Sequence, residues 1–336
     1  MAHRLPRLVL MIAFVWTAAG RSTVVATAPH VRFATPMHKI MIQGTAEGFP
    51  FESWGADHYD LYLARYEHEA FQVVVVPATA LTNVSVSVGT LVPQEGQGPF
   101  NGQVDVGLVG YVDVGDDPLD PINYPSYLSD YHGWWPDALL TFQQTCNINA
   151  GDRVPFWVDV FTSADTPPGD YVATITVTAG GCDPANLQLN VHVWDFDLPV
   201  SSHLGTAFSC QTKFAEPLYG TAWSEALHYT MFDVMLEHRL NVTELYRTTS
   251  PIPFDYIQYW VSKGANAFCL GKVPAVMGAE LDTLVANLNA AGLLDKAYVY
   301  GYDEVDTQAQ FDAMCNTFGQ IQDERASLLA RRPVAQ

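Results

Sequence analysis

The sequence predicts a multi-domain protein in which an N-terminal antiparallel β-sandwich is followed by a β/α domain. Two observations predict this organisation. From about residue 30 to 200, apolar and polar residues alternate with the period of two that is typical of strands with one buried face. From 203 to 336, short apolar segments alternate with longer amphipathic ones, a pattern typical of parallel strands covered by helices.

The N-terminal segment is typical of a secretory signal peptide. Arg4 and Arg7 give it a basic start, "LVLMIAFVW" is a short apolar core, and small residues follow. The apolar run is shorter than the ~20 residues of a membrane span, so we expect residues 1–28 to be a signal with cleavage near 20 or 28. The sequence therefore predicts a secreted or extracellular protein, periplasmic in a bacterium, with no membrane contact once the signal is removed.

Two glycosylation sequons, at Asn83 and Asn241, agree with export. Asn241 falls in an apolar stretch that predicts a buried strand. We therefore do not expect Asn241 to carry a glycan.

Six segments between 30 and 200 predict the strands of the sandwich, and turn-forming stretches such as "DTPPGDY" separate them. Their alternation is regular: in one segment Val84, Val86 and Val88 are interleaved with serines, which places the valines on one buried face. The six segments are 69–78, 82–91, 104–114, 153–163, 169–179 and 186–196.

Composition and charge narrow the possible partners. The chain has 336 residues and a formal net charge of −20, which argues against nucleic acid and anionic membrane surfaces but is compatible with neutral sugars. Five cysteines without CxxC spacing argue against a zinc site, while Cys146 and Cys182 are candidates for a disulfide. The sequence contains no HExxH motif and no glycine-rich phosphate loop, so we expect neither a metal nor a cofactor.

The second domain shows four strand–helix units in succession. They equal half of an eight-fold β/α barrel of the TIM type, which takes about 250 residues when complete. The last stretch, "ERASLLARRPVAQ", predicts no fifth strand. The first hypothesis is that the C-terminal half of the barrel is missing from a truncated chain; the alternative is an open four-stranded sheet. The predicted strands are 204–210, 240–246, 265–271 and 297–304, and the predicted helices are 222–238, 254–264, 279–292 and 307–324.

Two adjacent acids, Asp303 and Glu304, lie at the carboxyl end of the fourth of these strands. Barrel enzymes carry their catalytic residues at the carboxyl ends of the strands, so this position favours a catalytic role. The alternative is that Asp303 only caps the next helix, a role that Asp306 or Thr307 would fill equally well.

Three further side chains are candidates for binding a substrate. Tyr300 and Tyr302 flank the acid pair and suit stacking on a sugar ring, although packing in the core is an equal alternative for either. Arg239 leads into the second strand, and its alternative role is to interact with the C-terminus of the preceding helix.

Several motifs in order give a more specific indication: "HEAFQVVV", "GWWPDALL", "PFWVDVFTSADTPPGDYVATITV", "VHVWDFDLP" and "YGYDE". Over about residues 60–325 the sequence resembles glycoside hydrolase family 123. The resemblance implies a sandwich followed by a (β/α)8 barrel and an exo-acting, retaining β-N-acetylgalactosaminidase. Its partner would be a glycan that ends in a β-linked N-acetylhexosamine.

The same resemblance implies a role for each acid of the pair. Glu304 would be the general acid and base. Asp303 would orient the 2-acetamido group of the substrate, whose oxygen attacks the anomeric carbon in place of an enzyme nucleophile.

Two other functions stay open at this point. One is a truncated, inactive sugar-binding or interaction protein, motivated by the missing half of the barrel. The other is a glycosidase whose nucleophile lies on a later strand. Continuation of the reading frame beyond Gln336 with further strand–helix units would favour an active enzyme.

Overall fold

The structure, a computed structural model, describes residues 28–43, 57–114 and 133–330. The predicted signal peptide, apart from its last residue, lies outside the described residues. The chain divides into two compact units. One comprises the residues up to Leu63 together with Glu69–Phe161 and Thr166–Val193; the other comprises Ala64–His68, Thr162–Asp165 and the chain from Trp194 onward.

The N-terminal half folds into two β-sheets. One has the strand order β1-β3-β9-β6-β7, and the other has the order β2-β11-β10-β4-β8, with β5 also paired to β10. All six segments predicted as strands are strands in the structure. The strands are β1 (Val31–Ala34), β2 (His58–Arg65), β3 (His68–Val75), β4 (Leu81–Val88), β5 (Val92–Pro93), β6 (Gly102–Val114), β7 (Gly133–Leu140), β8 (Cys146–Ile148), β9 (Val154–Thr162), β10 (Gly169–Thr178) and β11 (Ala185–Asp197).

The two sheets share one hydrophobic core. Phe71 and Phe156 come from one sheet, and Ile175 and Leu189 come from the other; all four are almost completely buried. Strand β10 pairs antiparallel with both β4 and β11, so that Ile175 lies between one residue of each strand. The period-two pattern therefore marks the inward face of each strand, and the predicted sandwich architecture is observed.

The cysteines and the sequons differ in their surroundings. All five cysteines lie in the described parts of the chain and are free thiols, so the disulfide considered for Cys146 and Cys182 is not present. Burial raises the pKa of the Cys146 thiol to about 11. Asn241 is buried and its side-chain amide donates to Asn266 Oδ1 at 2.7 Å, which leaves no room for a glycan, whereas Asn83 is exposed.

The C-terminal half alternates short strands with helices. Its strands form two parallel pairs, β12 with β13 and β14 with β15. Helix α1 was not predicted. The elements are β12 (Phe208–Ser209), α1 (Thr212–Tyr219), α2 (Glu225–Glu237), β13 (Val242–Thr243), α3 (Phe254–Ser262), β14 (Phe268–Val273), α4 (Ala279–Ala290), β15 (Ala297–Gly301) and α5 (Gln308–Ala330).

The first two of these strands are much shorter than the sequence predicts. Side chains occupy hydrogen bonds that a continuous ladder would use: Thr206 Oγ1 accepts from Asn241 N at 2.8 Å, and Thr243 Oγ1 accepts from Cys269 N at 3.2 Å. Hydroxyl groups that bond to neighbouring backbone compete with regular structure in this way. The described residues therefore form two strand pairs, and the continuous row of four strands expected both for half of a (β/α)8 barrel and for an open sheet is not observed.

Helices α2, α3 and α4 pack on one face of these strands. Phe232 and Trp260 of the helices form a second core with Phe268 and Leu270 of β14. The opposite faces of the strands carry Thr243 and other side chains that do not belong to this core. Among the residues that the structure describes, none of the helices combines the length and the apolar character needed to cross a bilayer.

Candidate active site

The two acids lie where the parallel strands end. Strands β14 and β15 run parallel with Val273 opposite Gly301, so both reach their carboxyl ends at the same edge. Asp303 and Glu304 follow directly in the turn after β15, and both are exposed. Carboxyl ends of parallel strands are the usual location of binding and catalytic residues in β/α proteins.

The turn that carries the acids has an unusual backbone. Tyr302 and Glu304 both have a left-handed φ of 54°, which is uncommon for residues other than glycine. Such residues cost of order 1–3 kcal/mol each and occur preferentially at functional sites. The two left-handed residues flank Asp303 in the turn.

Gly301 allows the close approach of β15 to β14 at this point. A Cβ atom at position 301 would lie 2.5 Å from the backbone oxygen of Val273 and 2.8 Å from its side chain. Real Cβ atoms essentially never come so close to backbone, so the end of β15 would have to move.

We expect the substitution Gly301→Ala to lower the melting temperature and to displace the acid pair. Overpacking of this kind costs about 1–3 kcal/mol. The matched control is Gly319→Ala in α5, where a Cβ meets nothing within 4 Å. Because alanine is favoured over glycine in a helix by about 0.5–1 kcal/mol, that variant should melt at or above the parent temperature. Equal melting of the two variants would contradict the steric argument.

The helix that follows the acids is capped without them. Thr307 Oγ1 accepts from Gln310 N at 3.3 Å, and Gln310 Oε1 accepts from the backbone N–H of Thr307 at 3.0 Å. This reciprocal pair is a capping box at the start of α5. Asp303 is therefore not used as a helix cap, and the alternative role considered for it falls away.

Two tyrosines hold Asp303. Tyr246, which follows β13, donates from its hydroxyl to Asp303 Oδ2 at 3.1 Å. Its ring meets that of Tyr300 edge-on, with centroids 5.3 Å apart. Hydrogen bonds with Tyr246 and Asp303 raise the pKa of Tyr300 well above its usual value. Tyr300 therefore keeps its proton across the physiological range.

A cation and a buried ion pair lie beside these tyrosines. Lys272 Nζ lies 5.3 Å above the ring of Tyr246, a distance that fits a cation–π contact. Glu244, which directly follows β13, is buried and pairs with Arg247 at 2.8 Å. The backbone oxygen of Arg247 accepts from Lys272 N at 2.8 Å, which ties the segment after β13 to β14.

The structure brings some of the predicted residues together and separates others. Tyr300 joins Asp303, as described. Tyr302 turns toward α5 instead, where its hydroxyl bonds to Thr317 at 2.7 Å. Arg239 lies before β13, at the amino end of that strand, and its guanidinium donates to the backbone oxygens of Pro199, at 2.8 Å, and Tyr66. Arg239 thus has a structural role in the described geometry and does not contact the acid pair.

Four residues beside the acid pair were not predicted as part of the site: Tyr246, Glu244, Arg247 and Lys272. A signal was present, because all four lie at the carboxyl ends of predicted strands, the edge where the acid pair ends the fourth. Glu244 and Tyr246 fall at the end of the second predicted strand, and Arg247 directly follows it. Lys272 directly follows the third.

The arrangement suits the chemistry of a polyhydroxylated substrate. Both carboxylates are exposed, and Asp303 accepts from the hydroxyl of Tyr246, whose ring contacts that of Tyr300. Pairs of carboxyl groups in different environments carry acid–base chemistry on glycosides.

No known family profile matches the sequence, and no curated protein is similar to it at a significant level. Among solved structures, the chain is similar to a family 123 glycoside hydrolase from Clostridium perfringens, with a TM-score of 0.58 and 10% sequence identity. That likeness shows a shared fold. It covers 87% of this chain and 60% of the Clostridium enzyme.

Two other likenesses involve roughly half of the chain. The N-terminal domain of PorA matches at a TM-score of 0.25 over 48% of this chain and 96% of its own length, with 11% identity. A chain of a type I cohesin–dockerin complex from Clostridium thermocellum matches at a TM-score of 0.20 over 40% of this chain and 94% of its own, also with 11% identity. Scores this low carry no argument about function.

Proposed function

We propose that the chain is a secreted glycoside hydrolase related to family 123, acting as an exo-acting, retaining β-N-acetylgalactosaminidase. The observation that carries the proposal is the position of Asp303 and Glu304 at the carboxyl end of a parallel strand, with Asp303 held by Tyr246. The fold shared with the Clostridium enzyme, whose study concerned glycolipid glycan hydrolysis, supports it.

The proposal also implies that the β/α unit is part of a larger barrel. Its strand–helix units correspond to the first half of a (β/α)8 barrel, and the helices cover one face of the strands as they do in such barrels. The substrate would bind at the carboxyl edge, on which Tyr246, Tyr300 and Asp303 meet.

In the first step, the proton of the Glu304 carboxyl group passes to the glycosidic oxygen. The bond between this oxygen and the anomeric carbon breaks, and the oxygen of the substrate's own acetamido group forms a bond to that carbon. Asp303 accepts a hydrogen bond from the acetamido N–H and offsets the positive charge that develops on the resulting oxazolinium ring. No carboxylate on the opposite face of the sugar is required.

In the second step, the Glu304 carboxylate takes a proton from water. The oxygen of that water attacks the anomeric carbon, the oxazolinium ring opens, and the sugar leaves with its original configuration. Asp303 keeps the same orientation throughout, because the Tyr246 hydroxyl donates to it and the neighbouring Tyr300, whose pKa is raised, keeps its proton. Such preorganised hydrogen bonds contribute without reorganisation during the reaction.

Hydrolysis of paired substrates tests the proposal. We expect turnover of an aryl β-N-acetylgalactosaminide, slower turnover of the glucosaminide, and none of the corresponding 2-hydroxy galactoside. A thiazoline mimic of the cyclised intermediate should inhibit. Where the reading frame extends beyond Gln336, the product of the whole frame is assayed beside this chain.

The result that would overturn the mechanism is equally specific. Trapping by a 2-fluoro sugar together with indifference to the thiazoline would indicate an enzyme nucleophile. Absence of turnover and of thiazoline binding in both proteins would reject the hydrolase itself.

A further inference from the structure

A second site lies on the sandwich, in a part of the chain that the proposed catalysis does not use. An open cavity of about 330 Å³ lies on the outer face of the sheet formed by β2, β11 and β10. This volume falls at the lower end of the range of about 300–1,000 Å³ that small-molecule sites occupy. It suits a mono- or disaccharide.

The polar side chains of this cavity are fixed by one another. Gln188 Nε2 donates to Asn190 Oδ1 at 2.6 Å, and Asn190 Nδ2 donates to Asp60 Oδ1 at 2.7 Å. On the other side, His192 Nδ1 and Asp170 Oδ1 lie 2.6 Å apart. Alternate residues of three neighbouring strands thus present amides, carboxylates and an imidazole in a defined arrangement. Such groups offer donors and acceptors in pairs, as the hydroxyl groups of a sugar require.

An aromatic side chain completes the site. The ring of Tyr62 is 58% exposed and lies 6.1 Å from the ring of His192, measured between centroids. A tyrosine offers an apolar ring and a polar hydroxyl to the same ligand, and here it lies beside polar groups that are already fixed. A flat ring of this kind provides apolar contact for the carbon-bound hydrogens of a pyranose.

The charges at the cavity select against anionic ligands. The carboxylates of Asp57, Asp60 and Asp170 lie in or beside it, with the imidazoles of His58 and His192 as their partners. With the chain as a whole at −20, a sulfated or uronic acid-containing glycan would be repelled.

We propose that this surface is a non-catalytic carbohydrate-binding site for neutral hexopyranose units. Tyr62 packs against the face of the sugar ring, and Asn190, Asp60 and Gln94 bond its hydroxyl groups. Gln94 is exposed and its backbone N–H donates to Asp170 O at 2.9 Å, so it closes one end of the site. The site holds glycans near the protein independently of the acid pair.

Titration calorimetry and saturation-transfer NMR on the whole chain test this proposal. The neutral probes are cellobiose and N,N′-diacetylchitobiose, and the anionic probe is a sulfated chondroitin disaccharide. We expect weak binding of a neutral probe, unchanged in a chain that carries Asp303→Asn and Glu304→Gln, and no binding of the anionic probe. Tyr62→Ala should weaken the binding about tenfold, as expected for loss of one aromatic contact.

Two more variants make the result decisive. Gln94→Ala removes a polar contact from an exposed segment, so it should weaken the binding and leave the melting temperature unchanged. It keeps the test valid if Tyr62→Ala does not fold. Phe142→Ala deletes an aromatic side chain that is 81% exposed elsewhere on the sandwich, and it should bind as the parent does. If no neutral probe binds, if binding survives both Tyr62→Ala and Gln94→Ala, or if it disappears with the acid pair, the proposal is wrong.

Discussion

Replacement of Glu304 by glutamine is expected to lower kcat on an alkyl or unactivated aryl β-N-acetylgalactosaminide by about 10²–10⁴-fold, the usual contribution of a general acid. Glutamine has nearly the same shape but no proton to give to the departing oxygen. A substrate with a dinitrophenyl leaving group needs no protonation, so its first step should be almost unaffected. The comparison of the two substrates in steady-state assays gives the measurement.

Asp306→Asn is the matched control, because it neutralises another exposed acid of the same segment outside the proposed site. It should leave both substrates unaffected. Asp303→Asn should instead slow both substrates, since the acetamido group attacks in either case and loses its charged partner. Equal effects of Glu304→Gln on both substrates would exclude Glu304 as the acid, provided that the variant melts like the parent.

The sandwich was predictable from the sequence because its residues follow one local rule. Each strand has one face in the core, so apolar residues such as Val84, Val86 and Ile175 recur at every second position. Strand β2 was not predicted, because the exposed aromatic side chain of Tyr62 on its outer face interrupts that alternation.

The β/α half was predictable in its order but not in its strand lengths. Apolar runs marked the strands correctly, but the extent of β12 and β13 depends on whether backbone groups bond to backbone or to Thr206 and Thr243. These hydrogen bonds join residues that are far apart in sequence. A local sequence pattern therefore does not predict the lengths of the two strands.

The position of the acid pair at the end of a parallel strand was predictable because an apolar run stops directly before it. The residues that contact the pair were not predictable. The contact of Tyr246 with Asp303 joins residues 57 positions apart, and the placement of Lys272 above Tyr246 depends on how two strands stack. The roles of Tyr302 and Arg239 depend in the same way on partners distant in sequence: the hydroxyl of Thr317 and the backbone oxygen of Pro199.

Removal of Arg247 should have the largest effect on stability. The side chain of Glu244 is only 8% exposed, so the substitution Arg247→Met takes from a buried carboxylate the guanidinium that pairs with it at 2.8 Å. Breaking a buried ion pair from one side costs about 3–5 kcal/mol. Because Arg247 itself is 25% exposed, we expect a value near the lower limit. Hydrogen exchange of peptides from the segment between β13 and β14 should become about a hundredfold faster.

The double variant Glu244→Gln with Arg247→Met identifies the cause. It removes both charges together, so the segment should recover most of its protection from hydrogen exchange. The remaining loss should come from the missing hydrogen bonds between Arg247 and Ser250. A double variant as unstable as the single one would show that the ion pair is not what stabilises the segment. The comparison also bears on catalysis, because the same segment carries Tyr246. If this segment affects catalysis by orienting Asp303, the rate of hydrolysis should fall in Arg247→Met. In the double variant, the rate should recover to the same extent as the protection of the segment's amides from hydrogen exchange.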